Sequence, residues 1–116
     1  MSQIFFKNVL SKVKFDNAYH KMKSCNIINK TMLQKNQRLS DKYNCNIFLK
    51  REDLQTVRSF KIRGAYYKII NSIETCNKNL PIVTVSAGNH AQGVSQTCNS
   101  LNIKHHIFLP INTPLQ

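Results

Sequence analysis

Two short segments of this chain carry residue types arranged for chemistry. In SFKIRG, Lys61 stands between Phe60 and Ile62, where a solvated lysine has little reason to be. A helix starting here would turn the positive end of its dipole toward Lys61, and Arg58 and Arg63 add like charge. All three effects disfavour the ammonium form, as an amine acting as nucleophile or general base requires. The same lysine could instead pack its stem and lift its charge to water. The segment alone leaves both readings open.

The second segment, SAGNHAQG, runs from residue 86 to residue 93. A Gly just ahead of a helix lets backbone approach a ligand closely, and the free amide N–H groups there favour an anion. Ser86 and Asn89 add polar side chains at the same place. The competing reading is a plain strand-to-helix turn with Ser86 as its capping residue.

A strand–helix–strand run must position these groups. Ile62, Ala65, Tyr66, Ile69, Ile70 and Ile73 share one helical face, predicting a helix from about residue 60. PIVTV at 81–85 reads as a compact apolar strand led by Pro81. A helix over about 90–101 follows, with Ala91, Val94, Cys98 and Leu101 on one side, and HHIFLP at 105–110 is the next strand. These lengths predict a βαβ unit in a parallel sheet, with SAGNHAQG at the carboxyl end of its first strand. Upstream, Asp16 is expected to cap a short helix over 17–24, and a second short helix fits 35–43. NIFLK at 46–50 reads as a strand ended by Arg51, Glu52 and Asp53. The two acids point to opposite faces if the strand continues, so they read as partners of Arg51 or Arg58 rather than a catalytic pair. The fold class is therefore α/β, and one two-stranded parallel unit has too little sheet to cover both faces.

Bulk properties narrow the function classes. The chain has 116 residues, 41% of them apolar. No apolar run approaches the roughly 20 residues that span a bilayer. The opening MSQIFFKNVLSKVKFDN lacks the build of a signal peptide, so a cytoplasmic location is expected. Cys25, Cys45, Cys76 and Cys98 are too widely spaced for a zinc site and are expected to pack as small hydrophobes. No metal is called for. The net charge of +12 raises the possibility of a polyanion partner. The excess is mostly lysine, though, and it accompanies many Asn and Ile, which AT-rich coding favours together. No specific nucleic-acid motif is present. His105 and His106 read as structural, and His90 as a residue that orients its loop.

Taken together, SFKIRGAYYKI and, about 25 residues later, VSAGNHAQGV resemble the fold-type II pyridoxal-phosphate enzymes. More narrowly, with LKREDLQTVRS ahead of them, they resemble the biosynthetic threonine dehydratases (threonine ammonia-lyases). FLPINTP occupies the place of a further family segment. The resemblance implies a weakly patterned leader over 1–15. Residues 16–116 would be the N-terminal part of a catalytic domain: the start of its large domain, then the first βαβ part of its small domain. It implies that Lys61 joins covalently to the aldehyde of pyridoxal 5'-phosphate. Phe60 would pack beside the cofactor ring, and Asn89 would hydrogen-bond its phenolic oxygen. Ser86, Ala87, Gly88, Asn89 and His90 would form the loop that receives the substrate carboxylate. The implied reaction converts L-threonine to 2-oxobutanoate and ammonia, toward isoleucine. L-Serine is the other implied substrate, and full-length members are usually homo-oligomers. Serine racemases resemble the chain too, but carry a second serine where it has Ala87, which favours dehydration.

Two departures stand out. TML at Thr31–Leu33 replaces the usual TPL, which is expected to free a turn. The family's glycine-rich phosphate loop, its partner for the pyridine nitrogen and its regulatory domain would lie beyond Gln116, so the chain is expected to be a truncated portion, inactive alone. The alternatives are a catabolic serine/threonine dehydratase, or a non-catalytic basic binding protein on the same scaffold.

Overall fold

The computed structural model describes residues 11–76 and 79–114. Helix α1 spans Lys12–Lys23, strand β1 Leu33–Lys35, helix α2 Gln37–Tyr43 and strand β2 Phe48–Lys50. A 3-10 turn at Glu52–Leu54 leads to helix α3 (Lys61–Thr75), strand β3 (Ile82–Val85), helix α4 (Asn89–Ser100) and strand β4 (His105–Phe108). β3 and β4 pair in parallel, Ile82 opposite His105 and Val85 opposite Phe108, with α4 as the crossover. The expected βαβ unit is present, its elements differing from the expected limits by one or two residues at an end.

The first half departs further from expectation. Ser11, not Asp16, holds the N-cap position of α1, and Asp16 lies inside the helix. Ser11 makes no side-chain cap there, and residues 12–15 are helical. Residues 1–10 of the leader lie outside the described residues. Strand β1 was not foreseen, because LQK is too short and polar to show a period. It pairs antiparallel with β2, Leu33 opposite Lys50 and Lys35 opposite Phe48. The Thr31–Leu33 segment is accordingly not a freed turn: the Met32 carbonyl accepts from Arg51 N at 3.0 Å. Asn36 then starts α2 at Gln37, its Oδ1 accepting from Leu39 N at 2.9 Å. Asn44 ends the helix at φ 49°, a left-handed conformation asparagine tolerates.

The core lies between α3 and α4. Ala65 and Ile69 of α3 and Val94 and Cys98 of α4 form one buried cluster, with Ile82, Leu101 and Ile103 packed against it. At the start of this seam Gly93 comes so close to α3 that a Cβ would lie 3.2 Å from Ile62 Cα and 3.3 Å from the Lys61 carbonyl carbon. The neighbours are backbone atoms, which cannot swing aside as a side chain can. α1 docks on the far end of α3, where Lys21 Nζ donates to Asn71 Oδ1 at 2.8 Å and pairs with Glu74. Along β3 and β4 half-buried and exposed residues alternate, so the sheet is covered on one face: Ile82 and Ile107 face inward while Val83, Val85 and Phe108 are exposed. The radius of gyration is 17.5 Å. A compact domain of this length would have roughly 13 Å.

The stretch from β2 to α3 is organised by one carboxylate. As expected, β2 stops before the two acids, but they choose different arginines, and one of these is neither Arg51 nor Arg58. Asp53 pairs with Arg51, while Glu52 takes a two-pronged contact from Arg63, Nε to Oε2 and Nη2 to Oε1, both at 2.8 Å. The tight 3-10 turn, rather than a continuing strand, aims Glu52 at α3. Thr31 Oγ1 donates to Glu52 Oε1 at 2.5 Å, and Gln55 Nε2 to Oε2 at 3.2 Å. Buried Gln55 also grips Asn29, accepting from its N–H at 3.0 Å and donating to its carbonyl at 2.9 Å.

Two measurements check these contacts. Gly93→Ala gains up to about 1 kcal/mol of helix propensity, yet should destabilise the chain by about 1–2 kcal/mol because the methyl meets backbone. Gly64→Ala, with open space around its Cβ position, should stabilise by about 0.5–1 kcal/mol in the same urea titrations. The Arg63 hydrogen bond, against the opposing effect of burial and helped by Thr31 and Gln55, holds the Glu52 carboxyl well below its ordinary 4.5, at about 2. A depressed folded-state value means the contribution is full above pH 4.5 and disappears as pH falls toward about 2. Glu52→Gln should therefore flatten the loss of stability across that window, read as urea midpoints at each pH.

Candidate functional site

Lys61 is the first residue of α3, as the sequence predicts, and Phe60 holds the N-cap position. The start is fixed from behind by buried Ser59, whose Oγ accepts from Lys61 N at 3.2 Å. The Lys61 side chain is exposed and makes no ion pair or hydrogen bond among the described residues; its Nζ lies 5.3 Å from the centre of the Phe60 ring. Phe60 is itself 59% exposed. An amine and an aromatic face thus stand side by side in the open, at the positive end of a helix.

One part of the expected setting changes. Arg63 was to crowd Lys61 with like charge, but its guanidinium is turned away and matched by Glu52. Its charge is neutralised where it stands. Arg58 remains, exposed and held in the left-handed region at φ 54°, with its N–H donating to Gln55 O at 2.8 Å. A non-glycine residue held in that region costs roughly 1 kcal/mol or more. The buried polar contacts of Gln55 and Ser59 on either side offset it.

The loop after β3 is built to leave a helix end open. Ser86 does not cap α4 directly; its Oγ accepts from Gly88 N at 3.3 Å and so closes the turn. Gly88 takes the N-cap position with no side-chain cap, and Gln92 is the first residue to donate back to Gly88 O. The amides of Asn89, His90 and Ala91 therefore precede the first bond within the helix and carry its positive end. Ala87, Gly88, Asn89 and His90 are all exposed.

The close approach of Gly93 brings the two segments together. It seats α4, one turn after Asn89, against the backbone of Lys61 and Ile62. Further along, Ala65 and Ile69 meet Val94 and Cys98, so the helices run in step and both N-termini lie at one end. Lys61, Phe60 and the loop from Ser86 to His90 share that end. The arrangement can hold an anion on main-chain amides and present an amine beside it. Glu52, Ser59 and Gly93 escaped sequence reasoning as contributors. Gly93 lay within the quoted motif, but a helical glycine shows its reason only when its neighbour is known.

Other candidates settle plainly. His105 Nδ1 lies 3.2 Å from Ile103 O and is structural, while His106 is exposed. Only Cys98 packs as a buried hydrophobe, and burial pushes its thiol up, away from the reactive thiolate. Cys45 and Cys76 are exposed, contrary to expectation, because both fall just beyond helix ends. A cleft of about 480 Å³ is lined by Thr56, Val57, Ala91, Ser95, Ile107 and Leu109 among others, and by none of the expected site residues. Among the described residues no group of His, Cys, Asp and Glu is placed to hold a metal, and no helix is long and apolar enough to cross a membrane.

Known proteins are similar to this chain in sequence and in fold. The chain is 52% identical over 107 residues to the biosynthetic L-threonine dehydratase IlvA of Staphylococcus epidermidis, covering 92% of this chain and 25% of that protein. It is 48% identical over 118 residues to the enzyme of the same name from Bacillus subtilis, covering all of this chain and 27% of that one. It thus spans about a quarter of the length of these curated relatives. Among solved structures it resembles the processed form of threonine deaminase isoform 2 from Solanum lycopersicum, with TM-score 0.70 and 32% identity over 90% of this chain and 29% of that one. Maize serine racemase superposes with TM-score 0.74 at 27% identity, over 85% and 29% of the two chains. The family described as pyridoxal-phosphate dependent enzyme matches residues 25–116, and to that family, with its fold-type II architecture, the chain belongs.

Proposed function

We propose that residues 16–116 are the N-terminal part of the catalytic domain of a threonine ammonia-lyase, which converts L-threonine to 2-oxobutanoate and ammonia. One observation carries this reading: Gly93 holds a free lysine and an open helix start at the same end of one helix pair. The residues present fit pyridoxal 5'-phosphate. An exposed primary amine suits its aldehyde, and an exposed aromatic face beside that amine suits its ring. When bound, the cofactor supplies a sink for the electrons left when a substrate loses its α-proton.

The chain's own residues divide the remaining tasks. Lys61 would supply the amine that holds the cofactor and would also be the base that takes the α-proton of the substrate. Phe60 would pack beside the ring, and Asn89 would donate to the phenolic oxygen. Ser86, Ala87, Gly88, Asn89 and His90 receive the substrate carboxylate. Main-chain amides at the start of α4 supply a positive end that needs no proton and no side-chain reorganisation. Ala87 offers no titrating group near the substrate, which favours loss of the β-hydroxyl over return of a proton to the opposite face. L-Serine is the second substrate of the same reading, and a cytoplasmic homo-oligomer its setting.

The test joins residues 1–116 to the remaining segment of the Staphylococcus epidermidis dehydratase and follows 2-oxobutanoate from L-threonine with pyridoxal phosphate. Lys61→Ala should lower the rate by about 10²–10⁴-fold and abolish the visible absorbance of lysine-bound cofactor. Asn89→Ala should weaken cofactor binding while leaving that absorbance attainable at high cofactor concentration. Full turnover in Lys61→Ala would defeat the reading. Polyanion binding that falls steeply with salt and ignores Lys61→Ala would favour the basic binding protein instead.

A further inference from the structure

Three consecutive residues at the start of α3 look in three directions, because each step along an α-helix turns it by about 100°. Among the described residues, the Lys61 side chain is exposed and its one ion-pair, hydrogen-bond or ring contact is the Phe60 ring. Ile62 is fully buried and meets the Gly93 backbone. Arg63, about 200° around from Lys61, is forked onto Glu52. Lys61 therefore cannot set its own direction. The rotation of the helix start sets it, and that rotation is fixed on one side by Gly93 and on the other by Glu52.

Glu52 is more than the partner of one arginine. Its two oxygens accept from Arg63 Nε and Nη2, Thr31 Oγ1 and Gln55 Nε2, all donors to a single carboxylate. Arg63 Nη2 also reaches Asn29 O at 3.3 Å, and Gln55 ties Asn29 back into the same cluster. The side chains of Glu52 and Arg63 are only 17% and 30% exposed. A shielded, fully donated carboxylate holds its geometry in a way that exposed pairs do not.

We infer that Glu52 is a positioning residue for Lys61: by clamping Arg63 to the Thr31–Gln55–Asn29 segment it fixes the direction in which Lys61 leaves the helix. The inference rests on the proposed role of Lys61 and adds to it a residue that touches neither cofactor nor substrate. Glu52→Ala would leave Arg63 without its acceptor and allow the first turn of α3 to rotate while the rest of the helix stays packed through Ala65 and Ile69.

The test uses the same full-length joined protein. It is incubated with pyridoxal phosphate and reduced with borohydride, and the labelled lysines are read by peptide mass spectrometry. The wild type should carry label on Lys61 in clear preference to the other lysines. Glu52→Ala and Arg63→Ala should each lower that preference by about 10–100-fold. The double variant should lose no more than either single one, because both remove the same clamp. Ile69→Val, which loosens the core without touching the clamp, should keep the preference and so separate positioning from general destabilisation. Equal preference in wild type and Glu52→Ala, or an equal loss in Ile69→Val, overturns the inference alone. Absence of preference in the wild type overturns the reading of Lys61 and this inference with it.

Discussion

The contact between Gly93 and the backbone of Lys61 and Ile62 is the constraint on which the remaining structure depends. Helices usually meet through side chains at axis separations of about 8–10 Å. Here one helix has no side chain at the crossing, and a Cβ would lie 3.2 Å from the other's backbone. Everything downstream follows from that proximity. It buries Ile62 completely, aligns Ala65 and Ile69 with Val94 and Cys98, and leaves two helix N-termini at one end. Two such ends, with Lys61 at the start of one of them and Glu52 committed to Arg63, favour negative charge there without a cluster of basic side chains.

The charged contacts of the fold differ in what they contribute. Lys21–Glu74 and Arg51–Asp53 are exposed enough that each adds little. Glu52–Arg63 is shielded and shared among three further polar residues, so removing either partner strands the other rather than merely losing a contact. The same cluster fastens β1, the 3-10 turn and α3 to one another through Thr31, Gln55 and Arg63. In a chain with few buried apolar residues, this polar cluster does for the first half what the α3–α4 seam does for the second.

Much of the second half was legible in the sequence because its signals are periodic. The run from Ile62 to Ile73, the strand PIVTV and the face Ala91–Val94–Cys98 each repeat often enough to fix an element and its inward side. The positions of Lys61 and the SAGNH loop, at a helix start and a strand end, were legible from the same signals, whereas the chemistry expected of them came only from the resemblance that the two segments carry together. The first half resisted reading. β1 spans three residues, shorter than any alternation can reveal, and α1 starts after Ser11 without a side-chain cap to announce it. The partners of Glu52 were hidden because a carboxylate's choice between Arg51, Arg58 and Arg63 is made by the turn that aims it. A sequence shows the charges but not the direction.

The exposed surface follows the same logic as the buried one. Charge-based contacts to a ligand gain most of their strength when water is excluded. Yet Phe60, Lys61, Asn89 and His90 are open to solvent, as are Val85 at the end of β3 and Phe108 at the end of β4. A parallel pair covered on one face leaves its other face apolar and bare, and parallel sheets are otherwise buried on both. The residues that hold the amine in direction are all in place within the chain: Gly93 on one side, Glu52 and Arg63 on the other, Ser59 beneath. In this fold, then, orientation of the amine is set locally by backbone contact and one carboxylate, while its shelter depends on whatever covers the bare face and the open end beside it.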